Sequence, residues 1–88
     1  MNVETIREQV IEVLEDICNE KILDTSPQLR SELHMDSMQM VMILVLLEET
    51  FEIELDESDM NPFALITVQN VVDLVTKYKS DDEVKIDG

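Results

Sequence analysis

Ser37 stands between Asp36 and Met38, directly ahead of the apolar run Met40–Leu47. A helix is expected to start here. The first N–H groups of a helix have no intrahelical partner and the dipole is positive at that end, so anionic groups are favoured there. A phosphate ester on the Ser37 hydroxyl would occupy that end. Other chemistry is poorly served. Hydrolysis by a serine needs a base and an oxyanion hole. His34 is the only histidine, it reads as a solvated loop residue, and no Gly-x-Ser-x-Gly elbow occurs. No catalytic residue is therefore expected. Asp56-Glu57-Ser58-Asp59-Met60-Asn61 offers a partial run of oxygen ligands for calcium. It lacks the loop glycine, has Met60 at a ligand position, and has Thr67 where a closing glutamate belongs. No metal site is expected.

The elements that must hold Ser37 follow from periodicity. Val3, Ile6, Val10, Val13, Leu14 and Ile17 recur at three and four residues, which predicts an amphipathic helix over about Val3–Cys18 with Asn2 as N-cap. Cys18 falls on its apolar side and reads as a small core residue. Residues 19–36 have no sustained period and contain Pro27. Ile22, Leu23, Leu29 and Leu33 are expected to anchor this long connection, with a turn at Asp24-Thr25-Ser26. A second helix is predicted over Ser37–Phe51. It is apolar nearly all round, whereas a surface helix usually shows one stripe. Met40, Leu44, Leu47 and Phe51 form one face and Val41 and Ile43 flank it. Met42, Val45 and Leu46 are then left toward solvent as a contact surface rimmed by acids. One short helical turn is expected at Asp56–Met60, ending before Asn61-Pro62. A last helix is expected from an N-cap at Thr67 to about Tyr78, with Val68, Val71, Val72, Val75 and Tyr78 inward.

Composition bounds the partners. The chain has 88 residues with 21 acidic and 6 basic side chains, a net charge of −15. That excludes a nucleic-acid surface, which needs cations. Between Ser31 and Thr76 there is no lysine or arginine, so partners with basic docking patches are expected. No apolar run reaches the roughly 18 residues of a membrane span. A single cysteine excludes a disulfide framework. Together with the lack of a secretory segment it suggests a reducing, cytoplasmic setting; a monomer is expected. A single domain at 1–79 and a frayed tail at 80–88 are expected.

Leu33-x-x-Asp36-Ser37-Met38, the Glu48-Glu49-x-Phe51 end of the second helix and the Thr67-Val68 start of the last resemble the acyl carrier protein family. The likeness covers about Thr5–Lys79, and the discrete, standalone type is the nearest match. It implies an all-α bundle of three main helices plus one short helix between the second and the last, the family's four-helix bundle. It also implies that Ser37 carries 4'-phosphopantetheine, moved from coenzyme A by a phosphopantetheinyl transferase with magnesium. The thiol of that arm would hold acyl intermediates as thioesters for acyl-ligase, synthase or transferase partners in fatty-acid, lipid or polyketide synthesis. Asp36 and Met38 would flank the cofactor. Gln39, Met42, Val45, Leu46, Glu48 and Glu49 would meet partners. Carriers of fatty-acid synthesis often have acids early in the second helix where this chain has Gln39 and Met42, which points to a specialised pathway. They also often have glycine or another small residue near His34-Met35.

The core is expected to hold Ile6, Val10, Val13, Ile17, Leu33, Met40, Leu44, Leu47, Phe51, Val68, Val71 and Val75. A cargo cleft between the second and last helices is expected at Met40, Leu44, Ile53, Ala64, Ile66 and Val68. Two other readings of the chain are a peptidyl or aminoacyl carrier of a nonribosomal or D-alanyl-transfer pathway, and an acidic helical interaction module that is never modified.

Overall fold

Three α-helices form: α1 over Val3–Cys18, α2 over Ser37–Phe51 and α3 over Val68–Asp87. The computed structural model describes residues 2–87, with side chains for residues 2–79. The helix α3 passes the end expected near Tyr78, and the side chains of the tail expected at 80–88 lie outside the described residues. Among the described residues no strand forms, and a lone antiparallel bridge joins Gln28 to Thr67. No described helix is long and apolar enough to cross a membrane.

Helix α1 begins where Asn2 accepts the Thr5 N–H at 2.8 Å and ends at Asn19, which takes a left-handed conformation. Asparagine tolerates that region better than most residues, because its short amide can bond locally. Ile6, Val10, Val13 and Leu14 are buried. Ile17 and Cys18, both expected inside, are only half-buried against the core. They lie in the last turn of α1, beyond which the chain turns away at Asn19.

The long connection is packed rather than loose. Ile22, Leu29, Leu33 and Met35 are buried, while Leu23, expected as an anchor, is 82 % exposed. Glu15 Oε2 accepts the Ile22 N–H at 2.8 Å and pins the loop to α1. Asp24 accepts from the N–H and hydroxyl of Ser26, an Asx-type turn that holds its carboxyl below the usual range. Leu29 N–H donates to Ile66 O, Val68 N–H to Pro27 O and Gln69 N–H to Thr25 O. The loop's carbonyls thus satisfy N–H groups in the first turn of α3, which would otherwise lack partners. Thr67 fulfils its expected capping role: its hydroxyl accepts the Asn70 N–H, while Asn70 Oδ1 accepts the Thr67 N–H.

The short turn expected at Asp56–Met60 forms as the 3-10 turn Glu57–Asp59, and a second 3-10 turn that sequence reasoning missed follows at Pro62–Ala64. Pro62 disfavours helical geometry at the preceding residue and lacks an N–H, so one continuous turn cannot run through it. Asn61 instead caps the second turn by accepting the Phe63 N–H at 3.0 Å. The fourth helix of a four-helix bundle is therefore absent as an α-helix. Tyr78, expected to point inward, is half-buried and acts through its hydroxyl. It accepts the Asp56 N–H at 2.8 Å and donates to Asp59 Oδ2 at 2.5 Å, which Lys77 also reaches at 3.1 Å. The Tyr78 hydrogen bond, then Lys77, holds the Asp59 carboxyl below the usual range. Asp56 and Asp59 of the acidic run are thus engaged with α3, and among the described residues no group of three or more His, Cys, Asp and Glu is placed to hold a metal ion.

All fully buried side chains of the described residues are apolar. From α2 they are Met40, Ile43, Leu44, Leu47 and Phe51; from α3, Val68, Val71, Val72 and Val75. The expected core is present except for Ile17. Ile43, read as flanking, is completely buried.

Candidate functional site

The start of α2 is built by its own sequence. Asp36 has extended backbone and is the N-cap: its Oδ1 accepts the Gln39 N–H at 2.8 Å, and Gln39 Oε1 accepts the Asp36 N–H at 2.9 Å. This reciprocal capping box satisfies two backbone donors at once. Gln39 Nε2 also donates to Ile17 O at 3.0 Å. Ile17 is in the last turn of α1, where carbonyls lack intrahelical partners. One glutamine side chain therefore locks the beginning of α2 to the end of α1. Sequence reasoning placed Gln39 on the partner face and missed this box, which the Asp36-x-x-Gln39 spacing could have revealed.

His34 approaches the site with φ of 57°. This left-handed conformation is the one glycine adopts without a Cβ penalty, and histidine is among the few other residues enriched there. It accounts for the small residue that carriers often have at this place. Met35 follows it and is buried, with its N–H donated to Leu29 O at 3.1 Å. Replacing His34 by glycine is expected to leave stability unchanged or raise it by up to about 1 kcal/mol, and valine is expected to lower it by more than about 1 kcal/mol. Urea denaturation of the three proteins checks both, and equal midpoints for histidine and valine would contradict the backbone argument.

Ser37 is the first residue of α2 and is exposed. Among the described residues no hydrogen bond uses its hydroxyl, and the N–H groups of Ser37 and Met38 also have no partner. The first α-helical bond runs from Met40 N–H to Asp36 O at 3.0 Å. The site thus combines a reachable hydroxyl with two free backbone donors at the positive end of a helix dipole. A phosphodiester on Ser37 Oγ would find both room and donors there. Met38, beside it, is 75 % exposed.

The residues expected to meet partners divide into two groups. Met42, Val45 and Glu49 are exposed, and Met38 and Val41 extend the apolar face. Gln39 is half-buried in the network just described. Glu48 is half-buried too, and its Oε2 accepts the Leu55 N–H at 2.9 Å, fixing the chain after α2. Leu46 is half-buried. Gln39 and Glu48 were expected to meet partners because helical spacing does not reveal which polar side chains bond to a neighbouring backbone. The expected cleft is also closed at its base. Met40, Leu44 and Val68 are at most 2 % exposed and belong to the core, Ile53 is half-buried, and only Ala64 and Ile66 are open.

A protein-family model described as a phosphopantetheine attachment site matches residues 4–75. No curated protein matches the chain. Members of that family carry 4'-phosphopantetheine covalently.

Proposed function

The chain belongs to the phosphopantetheine attachment-site family, and on that premise we propose that Ser37 is its attachment point and that the protein is an acyl carrier. The observation that carries this reading is the exposed Ser37 hydroxyl, unbonded and held at the start of α2 by the Asp36–Gln39 box. In the loading step Ser37 Oγ forms a new bond to the phosphorus that bears pantetheine in coenzyme A. The bond from that phosphorus to adenosine 3',5'-bisphosphate breaks, and the hydroxyl proton passes to a base of the transferase. The bound group supplies a thiol that forms thioesters. The chain's own residues present and orient it. Asp36 fixes the helix start, the N–H groups of Ser37 and Met38 face the phosphodiester, and the rigid α1–α2 junction keeps the attachment point in one place. A tether of this kind brings one cargo to several enzymes at high effective concentration.

The test is intact mass after incubation with a phosphopantetheinyl transferase, magnesium and coenzyme A, followed by peptide mapping. One added phosphopantetheinyl group on the peptide containing Ser37 is expected. An unmodified protein would overturn the reading and leave the unmodified interaction module.

The partner face supports a specialised acyl pathway over general fatty-acid synthesis. Met42 is exposed among Met38, Val41 and Val45, so the first three turns of α2 offer apolar contact where charge would serve a basic patch. Methionine suits such a surface because its thioether adapts to a partner. Glu49 supplies the acid at the far end. Met42→Glu is expected to lower kcat/KM with the enzyme that natively uses this carrier by roughly tenfold, since it sets an unpaired charge in an apolar contact. The same change is expected to raise kcat/KM with general fatty-acid synthesis enzymes. Unchanged kinetics with both would refute the assignment of this face.

A further inference from the structure

Arg30 is the only cation between Lys21 and Lys77 in a chain of net charge −15. Among the described residues it pairs with no carboxylate; its guanidinium instead lies 5.2 Å from the centre of the Phe63 ring. With many acids available, this arginine lies over an aromatic ring at a cation–π distance. A ring takes none of the guanidinium's five N–H donors as a lone-pair acceptor would, so donors remain for an anion. No hydrogen bond among the described residues engages them.

The pair forms one wall of a groove of about 180 Å³ between the long loop and the segment leading into α3. Gln28, Arg30, Ser31, Phe63, Leu65 and Ile66 line it. Phe63 and Ile66 are each 56 % exposed. Ser31 donates its hydroxyl to Gln28 Oε1 at 2.7 Å, which leaves the Gln28 amide N–H groups available. The nearby Glu32 carboxylate is committed to the Gln28 backbone N–H at 3.0 Å. An apolar cavity of about 150 Å³ holds a benzene-sized guest, so this groove suits a short acyl segment and is too small for a long chain or a protein element.

The groove is also tied to the attachment site. Met35 N–H bonds to Leu29 O at 3.1 Å. Arg30 adjoins Leu29 and Ser37 lies two residues past Met35, so their Cα atoms are within about 18 Å of each other along that path. A group tethered at Ser37 would meet the groove at high effective concentration.

We propose that this groove receives the far end of a short dicarboxylic acyl group carried on Ser37, with Phe63 and Ile66 against its methylenes and Arg30 on its free carboxylate. The proposal rests on Ser37 being the attachment point. Elsewhere the field of the chain repels a carboxylate, so Arg30 must supply the local attraction.

The test loads the full chain by transferase from glutaryl-coenzyme A and, separately, from pentanoyl-coenzyme A, with attachment verified by intact mass. Backbone amide NMR shifts are then compared with those of the protein bearing the free thiol. Shifts at Gln28, Arg30, Phe63 and Ile66 are expected with the glutaryl group and not with the pentanoyl group. Arg30→Gln is expected to reduce the bound population about tenfold, the effect of one lost charge-assisted hydrogen bond, while loading of Ser37 continues. Loading with equal shifts for both cargoes, shifts confined to α2, or shifts insensitive to Arg30→Gln would overturn the groove and leave the carrier reading standing. Failure to load Ser37 would overturn both.

Discussion

Ser37→Ala is expected to accept no phosphopantetheinyl group at any time or enzyme concentration, while keeping the fold. The two halves of that expectation have separate causes. Loss of loading is complete because the substitution removes the only atom on that side chain that can bond to phosphorus. The fold is spared because Ser37 is exposed and its hydroxyl serves no hydrogen bond among the described residues; the change in stability is expected within about 0.5 kcal/mol. Asp36→Ala should behave in the opposite sense. Its carboxylate is the N-cap of α2 and half of the box with Gln39, and removing such a cap costs about 0.5–2 kcal/mol. Loading should slow without vanishing, since the nucleophile remains. Intact mass with a thermal melt on each variant separates the two roles. Label on the Ser37→Ala protein would move the attachment point to another hydroxyl.

Phe51→Ala is expected to destabilise the protein by about 3–5 kcal/mol, the range for deleting a buried aromatic side chain. Phe51 is 1 % exposed and closes the last turn of α2 against the core. A chain of this size has a total stability of about 4–13 kcal/mol, so a large part of it goes with one side chain. Leu47→Ala, at 0 % exposure, should follow at about 2–5 kcal/mol. Val45→Ala is the control. Val45 is on the same helix but 48 % exposed, and its loss should cost far less. Urea denaturation measures all three. If Val45→Ala matched Phe51→Ala, the division of α2 into a core face and a contact face would be wrong.

That division shows where sequence reasoning succeeds and where it stops. The three helices were legible because Val, Ile and Leu recur at helical spacing in α1 and α3, and because α2 contains no glycine or proline. The caps Asn2 and Thr67 were legible because their side chains bond to donors only three residues away. The start of α2 at Ser37 was legible for the same reason: its geometry is set within a single turn. In α2, where nearly every side chain is apolar, spacing placed Met40, Leu44, Leu47 and Phe51 inward and Met42 and Val45 outward, as found, but could not fix the edges of the two faces. Ile43 proved fully buried, while Val41 beside it stays open.

Contacts distant in sequence were decided only by the fold. Gln39 reaches Ile17, Glu48 bonds to Leu55 N–H, and Tyr78 joins α3 to Asp56 and Asp59. Each is a polar side chain that periodicity assigns to solvent or core with no means of naming its partner. Arg30 over Phe63 belongs to the same class. The amino-acid order by itself determined the helices, their starts, the serine at the head of α2 and the acidity of the chain, since all of these depend on near neighbours and on composition; the end of α3, expected near Tyr78, lies further on. Tertiary structure alone decided where the edges of the α2 faces fall, which polar side chains are already bonded, and where a lone cation meets an apolar groove. Those outcomes depend on which backbone atoms and rings from distant segments come within a few ångströms, and side-chain chemistry along the chain does not encode that distance locally.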